Sequence, residues 1–159
     1  ISDVDIIVDN MRLQDIRECA LVGGKPQIAL NVPFVEEGSK GFTITHKQKP
    51  VAMCGVTPLD DFSYRGKIWF LGTDDIDSIA KSFYKYSKLI LSFLSHEYDF
   101  VENYVPIDHE KTIKWLQWIG FEIEKQQYCV DEHEFCRLFY CNPQRIECNS
   151  KLSERPVLH

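Results

Sequence analysis

The sequence has little positive charge and no long apolar run. Its 18 Lys and Arg residues are outnumbered by 24 Asp and Glu residues, which gives a formal net charge of −6. Such a chain has no global basic field to attract nucleic acid, so we expect no nucleic-acid partner. No apolar stretch approaches the roughly 20 residues that a membrane-spanning helix needs. We therefore expect no membrane-spanning segment.

The six cysteines are not spaced as a metal site. Four of them, Cys129, Cys136, Cys141 and Cys148, follow the pattern C-x6-C-x4-C-x6-C. Zinc sites usually bring cysteines in pairs separated by two residues, and no such pair occurs here. A chain this long and apolar also has no need of a disulfide framework. We predict no metal site and reduced thiols.

Signals for export and the common hydrolase and nucleotide motifs are missing too. The N-terminal residues ISDVDIIVDN carry no positive charge ahead of their apolar part, so we do not expect secretion by a signal peptide. The patterns G-x-S-x-G, G-x-x-x-x-G-K-[ST] and H-E-x-x-H do not occur. Any catalytic site must therefore be of another kind.

What is present is the composition of a folded domain. The 159 residues are 44% hydrophobic and 13% aromatic, which is enough to bury a sizeable core. Weak alternation predicts a first strand at Val4 to Val8. Asn10 is the predicted N-cap of a helix from about Met11 to Leu21, with Leu13, Ile16 and Ala20 on one face. Pro26 and Pro33 predict that the following segment is broken.

The middle of the chain predicts three consecutive antiparallel strands and a long helix. FTITH and VAMCGV read as a hairpin around KQKP, and KIWFLG is a third strand. An apolar stripe at helical spacing follows. Its members are Ile79, Phe83, Tyr86, Ile90 and Phe93.

The last part predicts a strand, a short helix and a final hairpin. DFVENYVPI is the strand, Asp108 is the predicted helix N-cap and Gly120 the left-handed C-cap. FCRLFYC is the last strand. Together the elements predict an α/β fold with a sheet of about six or seven strands flanked by helices. We expect one domain at 1–141 and a C-terminal extension or arm at 142–159.

The order of these elements resembles the GNAT superfamily of N-acetyltransferases. The family closes a short helix with a hydrophobic-Gly-Phe step and a charged strand, and Ile119-Gly120-Phe121 followed by EIEK is similar. THKQKPVAMCGV resembles the family's second hairpin, with Gly55 at its usual glycine. Asp15-Ile16 resembles the start of the family's first helix. The resemblance implies a GNAT-like, mixed and mostly antiparallel sheet.

The chain also resembles the small GNAT-like internal virion proteins of short-tailed phages. The matching pieces are Trp69-Phe70, Thr73-Asp74, Asn103-Tyr104-Val105 and Ile119-Gly120. This resemblance implies a bacteriophage protein located in the virion, the host cytoplasm or both. Its partners would be other virion proteins or host proteins.

The stretch from Gly72 to Ala80 departs from the GNAT pattern. In GNAT enzymes a glycine-rich loop there cradles the pyrophosphate of acyl-CoA, but here no glycine follows Gly72 and Asp74, Asp75 and Asp77 occur instead. Acids in a first helical turn stabilise the helix by ~0.3–1 kcal/mol each and would repel a pyrophosphate. We favour N-capping and first-turn acids over a metal or cationic-substrate site, which would need further ligands.

Two expectations about the cofactor follow from this departure. No cofactor is expected if the protein does not catalyse acyl transfer, and acetyl-CoA is expected if the chain is an enzyme. In the second case the resemblance implies that the cofactor would contact Phe70, Leu71, Gly72, Ile76, Asp77 and Ser78.

The resemblance leaves the catalytic residues open. Many GNAT enzymes use a tyrosine of the last helix to protonate the leaving thiolate, and the matching residue here is Leu116. His109 stands where the family has an asparagine, and Tyr104 and Tyr128 are further candidate acids. The carboxylates available near the fourth strand as a base are Asp60, Asp61 and Asp74, of which Asp60-Asp61 more simply form a turn.

Two main functions are compatible with these residues. The first is a GNAT-fold protein that is virion-associated or acts in assembly, without acetyl-CoA catalysis. The alternative is an active acyl-CoA-dependent N-acyltransferase that acts on an amine of a protein or small molecule. A phage-encoded effector that binds a host protein is a third possibility.

Overall fold

A computed structural model of the chain describes residues 2–21, 24–60, 64–131 and 134–143. These residues form five α-helices, one 3-10 helix and seven strands. The helices are α1 (Asp3–Asp9), α2 (Leu13–Leu21), α3 (Pro26–Val35), α4 (Ala80–Ser95) and α5 (Glu110–Ile119). The strands are β1 (Lys40–His46), β2 (Lys49–Pro58), β3 (Arg65–Gly72), β4 (Phe100–Pro106), β5 (Glu122–Ile123), β6 (Tyr128–Asp131) and β7 (Glu134–Cys141). The 3-10 helix, Asp74–Ile79, leads into α4.

The strands form a single sheet with one parallel contact. The pairing order is β1-β2-β3-β4-β7-β5, and β6 also pairs with β7. β3 and β4 run parallel, whereas the other described strand pairs are antiparallel. The predicted fold class, an α/β fold with a mixed and mostly antiparallel sheet of six or seven strands, is confirmed.

The sheet lies between two helical layers. One apolar cluster joins the sheet to α4 and α5 through residues such as Leu91, Val105 and Leu116. A second cluster joins the other face to α1, α2 and α3 through Ile7, Cys19 and Leu30. Burial of both faces explains why β2 is almost wholly apolar and buried rather than alternating.

The first segment is a helix, so the predicted strand at Val4 to Val8 is wrong. Ser2 and Asp5 form a capping box, in which the Ser2 hydroxyl accepts from the Asp5 amide and the Asp5 carboxylate accepts from the Ser2 amide. Val4 and Ile7 are the buried residues of α1. Their spacing of three is helical, and it outweighs the β propensity of the valines and isoleucines.

The second helix forms, but it buries a different face from the predicted one. Leu13 and Ile16 are 82% and 41% exposed, and Asp15 and Cys19 are buried instead. Asn10 ends α1 rather than beginning α2, because its side-chain amide donates to the Ile6 carbonyl. Hydrophobicity alone misassigned the inner face, since the buried carboxylate of Asp15 is a partner for groups elsewhere in the fold.

The segment from Pro26 to Val35 is also a helix, against the predicted break. Pro26 occupies the first turn, where its missing amide hydrogen is not needed. Pro33 lies within the last turn of the helix, so it perturbs only the C-terminal end.

The helices α4 and α5 form as predicted, although some of their buried and capping residues differ from the predicted ones. In α4 the buried residues include Leu91 and Leu94, whereas Phe93 of the predicted stripe is 61% exposed. The N-cap of α5 is His109 rather than Asp108, and His109 makes no side-chain capping bond. Gly120 closes α5 with a φ of 118°, as predicted for a left-handed C-cap.

The predicted domain boundary lies close to the end of β7 at Cys141. Most of the predicted extension, residues 144–159, lies outside the described residues, so the division at 141 stays a prediction. Within the described part of the chain, no helix combines the length and the apolar character required to cross a membrane.

Gly55 on β2 lies where the neighbouring strands leave no room for a side chain, and this crowding gives a test of the packing. A Cβ at this position would lie 2.5 Å from Cζ2 of Trp69 and against the carbonyl oxygen of Lys40. We expect Gly55→Ala to lower the free energy of unfolding by about 1–3 kcal/mol, because the backbone cannot move aside. Denaturant unfolding measures this change.

Gly24→Ala is the matched control. Its Cβ would meet only the Cys19 carbonyl, at an ordinary 3.7 Å. We expect a change within about 0.5 kcal/mol. Equal effects of the two substitutions would contradict the packing described for Gly55.

Candidate functional site

The candidate site is a cleft where β3 and β4 separate. The two strands pair at only three positions, Arg65 with Phe100, Gly66 with Val101 and Lys67 with Glu102. Just beyond the last pair, the Asn103 side-chain amide donates to the Ile68 carbonyl at 2.8 Å. The strands then diverge toward their carboxyl ends, which is where open α/β sheets commonly bind ligands.

The free edge of β3 is partly covered by the segment that begins α2. The Gly72 amide donates to the Asp15 carboxylate at 2.6 Å, and the Gly72 carbonyl accepts from the Arg12 amide at 3.0 Å. Alternate residues of a strand direct their amide and carbonyl to the same edge. The backbone of Phe70, between Ile68 and Gly72, therefore faces the cleft.

The cleft opens into a cavity of about 1060 Å³. One wall is aromatic and belongs to α4, α5 and β3. Its ring centroids are 4.9 Å apart for Phe70 and Phe83, 5.3 Å for Phe83 and Trp115, and 6.5 Å for Tyr84 and Trp115. This wall can hold an extended apolar chain.

The other wall carries ionisable groups from α2. Asp15 is 1% exposed and forms an ion pair with Arg12 at 2.9 Å. Burial raises the pKa of Asp15 even though Arg12 and the Gly72 amide favour its charged form. Asp15 thus fixes α2 against the end of β3.

Glu18, one turn further along α2, lines the same cavity. Burial, reinforced by the charge of Asp15, raises the pKa of Glu18 to about 7, although Arg12 and Arg17 oppose the shift. Glu18 Oε1 lies 2.9 Å from Nδ1 of His109. The pair is not aligned for a hydrogen bond, and Nδ1 has no hydrogen-bond partner among the described residues.

The two tyrosines predicted as candidate acids both line the cavity and lie next to each other. Tyr104 on β4 and Tyr128 on β6 line the cavity with their ring centroids 5.5 Å apart in a T-shaped arrangement. The Tyr128 hydroxyl donates to Glu124 at 2.9 Å, and this bond raises the pKa of Tyr128. His109, the third candidate, does not line the cavity, but its Nδ1 lies 2.9 Å from Oε1 of Glu18, which does.

The predicted cofactor residues divide into two groups. Phe70, Leu71, Ile76 and Asp77 line the cavity. The Gly72 amide is taken up by Asp15, and the Ser78 hydroxyl donates to the Asp75 carbonyl. Leu116, at the position of the family's tyrosine, is buried in the core.

The acidic junction before α4 differs from the predicted helix cap. The N-cap of the 3-10 helix is Thr73, which makes no side-chain capping bond, and α4 itself starts only at Ala80. Asp74, Asp75 and Asp77 are exposed acids of the first turn, as predicted, but they do not cap the helix. Of the predicted bases near β3, Asp74 lines the cavity and Asp61 lies outside the described residues.

Asp15, Glu18 and Arg12 were missed by the sequence interpretation. The available signal was their spacing, because Asp15, Glu18 and Cys19 lie three and four residues apart and so share one helical face. Within the described residues, no three His, Cys, Asp or Glu side chains are grouped to hold a metal ion.

The raised pKa of Glu18 predicts a measurable effect on stability. The folded state holds the Glu18 proton more tightly than the unfolded state, so this contribution is full below the unfolded pKa of about 4.5 and is lost as the pH rises through about 7. Glu18→Gln mimics the neutral carboxyl. We expect wild type and variant to have similar Tm values near pH 4.5, and the variant to be more stable above about pH 7.

Glu37→Gln, at an exposed turn between α3 and β1, is the control and should show no such divergence with pH. Both proteins retain Asp15, so its own titration cancels in the comparison. A Tm difference that does not change between acidic and neutral pH would contradict the environment described for Glu18.

Comparisons by sequence are negative: no protein-family model matches the chain, and no curated protein matches it. Comparison with solved structures gives matches. A chimera of the spermidine N-acetyltransferase SpeG from Vibrio cholerae and hSSAT is 10% identical, with a TM-score of 0.61 over 86% of this chain and 94% of that one. A SpeG point mutant is 11% identical, with a TM-score of 0.60 over 78% and 77%.

A ribosomal-protein-alanine N-acetyltransferase from Brucella melitensis is 10% identical, with a TM-score of 0.58 over 73% of this chain and 75% of that one. At such low identity the likeness concerns the backbone alone. The sheet order, the separation of β3 from β4 and these matches agree on one architecture. The chain has a GNAT-like fold.

Proposed function

We propose that the protein is an N-acyltransferase, which transfers an acyl group from a thioester donor to an amine in the cleft between β3 and β4. The observation that carries this proposal is the cleft itself, with an aromatic wall on one side and carboxylates on the other. Reactants that must meet at one point need two such opposed subsites. The N-acetyltransferases of similar fold give the reaction class its support.

The aromatic wall fits the arm of an acyl thioester. Phe70, Phe83 and Trp115 offer apolar surface along its length, and the backbone of Phe70 offers an amide and a carbonyl at the cleft edge. An acyl-CoA bound here would supply the activated acyl group, released with its thiol as leaving group. The ring wall would keep water from the thioester.

The junction before α4 does not fit the pyrophosphate of acyl-CoA. It is a six-residue 3-10 helix with no glycine, and it presents three exposed carboxylates. The cationic side chains that line the cavity are Arg12, Lys67 and Lys111, and none of them belongs to this junction. We therefore propose that the donor is held chiefly by its arm, and that the carboxylates weaken any contact with phosphate.

The acceptor belongs on the carboxylate side. Glu18 lines the cavity on the α2 wall, and negative charge there attracts a protonated amine. Spermidine, the substrate named for one set of similar structures, is a suitable first acceptor to assay, alongside amines of proteins. The acyl transfer ends with an amide on the acceptor and a free thiol on the donor.

The virion-associated role is the second candidate, and the acidic junction is the observation that favours it. A GNAT-like scaffold without donor chemistry would retain the core and lose the phosphate cradle. Its partners would be virion or host proteins, in the virion or host cytoplasm. Detection of the protein in purified particles, together with failure to bind any acyl thioester, would favour this role over the enzyme.

Donor binding gives the direct test. We expect wild type to bind acetyl-pantetheine and to gain little from the phosphates of acetyl-CoA. Replacing Asp74, Asp75 and Asp77 by Asn should raise the affinity for acetyl-CoA about tenfold, because like charges a few Å apart repel by about 1 kcal/mol each before screening. The affinity for acetyl-pantetheine should not change. Calorimetry measures both.

A control variant with Asn at Asp3, Asp9 and Asp99 changes the net charge equally through exposed acids outside the cavity. It should leave both affinities unchanged. If neither wild type nor the junction variant binds either thioester, the acyltransferase proposal fails.

The two tyrosines give a test of proton donation to the leaving thiolate. Tyr104→Phe should lower kcat by on the order of 10²-fold if Tyr104 is the acid. Tyr128→Phe should have a smaller effect, because the Tyr128 hydroxyl already donates to Glu124. Tyr64→Phe, at an exposed tyrosine outside the cavity, is the matched control. Equal kcat values for wild type and Tyr104→Phe would exclude Tyr104 as the acid.

A further inference from the structure

A line of ionisable side chains connects the cavity with the protein surface. Glu18 lines the cavity, and its Oε1 lies 2.9 Å from Nδ1 of His109. The other ring nitrogen of His109, Nε2, lies 3.9 Å from Oδ1 of Asp108. The Asp108 side chain is 59% exposed. Carboxylate, imidazole and carboxylate thus follow one another from inside to outside.

His109 is placed between two environments. Its side chain is only 13% exposed, so it is largely shielded from bulk solvent. Imidazole can accept a proton at one nitrogen and release another from the second, which is what a relay requires. Nδ1 lacks an aligned partner among the described residues, and a small rotation of the Glu18 carboxyl would align the two.

The acceptor amine requires such a route. Primary alkyl amines have a pKa of about 10 and are protonated at neutral pH, so one proton must leave before the nitrogen can attack. A base with a pKa near the working pH is the most effective one. A proton taken up by the base must also leave it before the next turnover.

The groups around Glu18 come from α2 and the residue before it, from β7 and from the loop before α5. They are Arg12, Asp15, Arg17, Cys19, His109 and Cys136. The two arginines favour the charged carboxylate, and Asp15 and burial favour the neutral acid. Glu18 can therefore exist in either form at neutral pH.

We propose that Glu18 is the catalytic base of the acyl transfer and that His109, a positioning and relay residue, passes its proton to the surface at Asp108. This inference rests on the proposed acyltransferase function. The ammonium N–H bond breaks and its proton binds a Glu18 oxygen, which frees the lone pair for attack on the thioester. Glu18 then gives the proton to His109 Nδ1, and Nε2 releases one to Asp108 or water.

The relay returns to its starting state without a further reagent. After release from Nε2 the imidazole is neutral with its proton on Nδ1, and a turn of the ring that exchanges the two nitrogens brings the unprotonated one back to face Glu18. The 3.9 Å between Nε2 and Asp108 is longer than a direct hydrogen bond. One bridging water or a rotation of the exposed Asp108 side chain closes this gap.

The experiment combines rates with a titration of the free protein. For wild type, a plot of kcat/KM against pH should show a rising limb near pH 7, as the catalytic base loses its proton. Glu18→Gln should lower kcat on the order of 10²-fold and remove that limb. His109→Gln should lower kcat less and keep the limb, because the base is still present. Glu37→Gln is the control at an exposed glutamate.

The same variants are followed by NMR without any donor or acceptor. The Glu18 carboxyl carbon should titrate near pH 7, and His109→Gln should move its midpoint by about half a unit or more, because Nδ1 of His109 lies 2.9 Å from the Glu18 carboxyl oxygen. An unmoved midpoint would overturn the Glu18–His109 step.

The failures of the two proposals are distinguishable. A wild type that acylates no amine overturns the acyl transfer, and with it the catalytic role of Glu18. An active wild type together with a Glu18→Gln variant that keeps both its kcat and its pH limb overturns the relay alone.

Discussion

The bond from the Gly72 amide to the buried carboxylate of Asp15 is the contact on which the candidate site depends. Backbone amides and carbonyls in a protein interior must be paired, and β3 would normally pair along its whole length with β4. Asp15 and the Arg12 amide satisfy Gly72 in place of β4. Asn103 does the same for Ile68. The two strands can therefore separate while the Gly72 amide and carbonyl and the Ile68 carbonyl stay hydrogen-bonded. This separation of β3 from β4 forms the cleft.

The same arrangement gives the cleft two chemically different walls. Side chains on alternate positions of β3 point to opposite faces of the sheet, so Phe70 faces the rings of α4 and α5, while Leu71 and Trp69 face α2 and α3. Asp15 brings α2 close to the sheet, and Glu18 reaches the cavity from the next turn. An apolar arm and a cationic amine could approach each other from these two sides. In the proposed acyl transfer, the acidic junction before α4 would limit what else of the donor can bind.

The sequence predicted elements wherever one local signal dominated. β1, β2, β3, β4 and β7, the C-cap at Gly120 and the two helices beside the last strands follow from period and turn chemistry. The sequence-based prediction was wrong within the first 35 residues, where it gave a strand in place of α1 and a broken segment in place of α3. The first helix carries β-branched residues and the third carries two prolines. In α1 the capping box outweighed strand propensity, and in α3 both prolines lie near the ends. The candidate tyrosines and four of the six cofactor residues implied by the resemblance line the cavity.

The amino-acid sequence alone determined the α/β class, the order of most strands and the accumulation of acids before α4, since these depend on residues close together in the chain. Tertiary structure alone decided that Asp15 is buried, that Glu18 faces a cavity and that His109 stands behind it. Those facts depend on α2, β3 and the loop before α5 meeting in space, with Asp15 and Gly72 separated by 57 positions in the chain. A pattern of apolar residues assigns such polar residues to the surface. In the folded protein, burial raises the pKa values of Asp15 and Glu18, and the distant Gly72 amide gives Asp15 a hydrogen-bond partner.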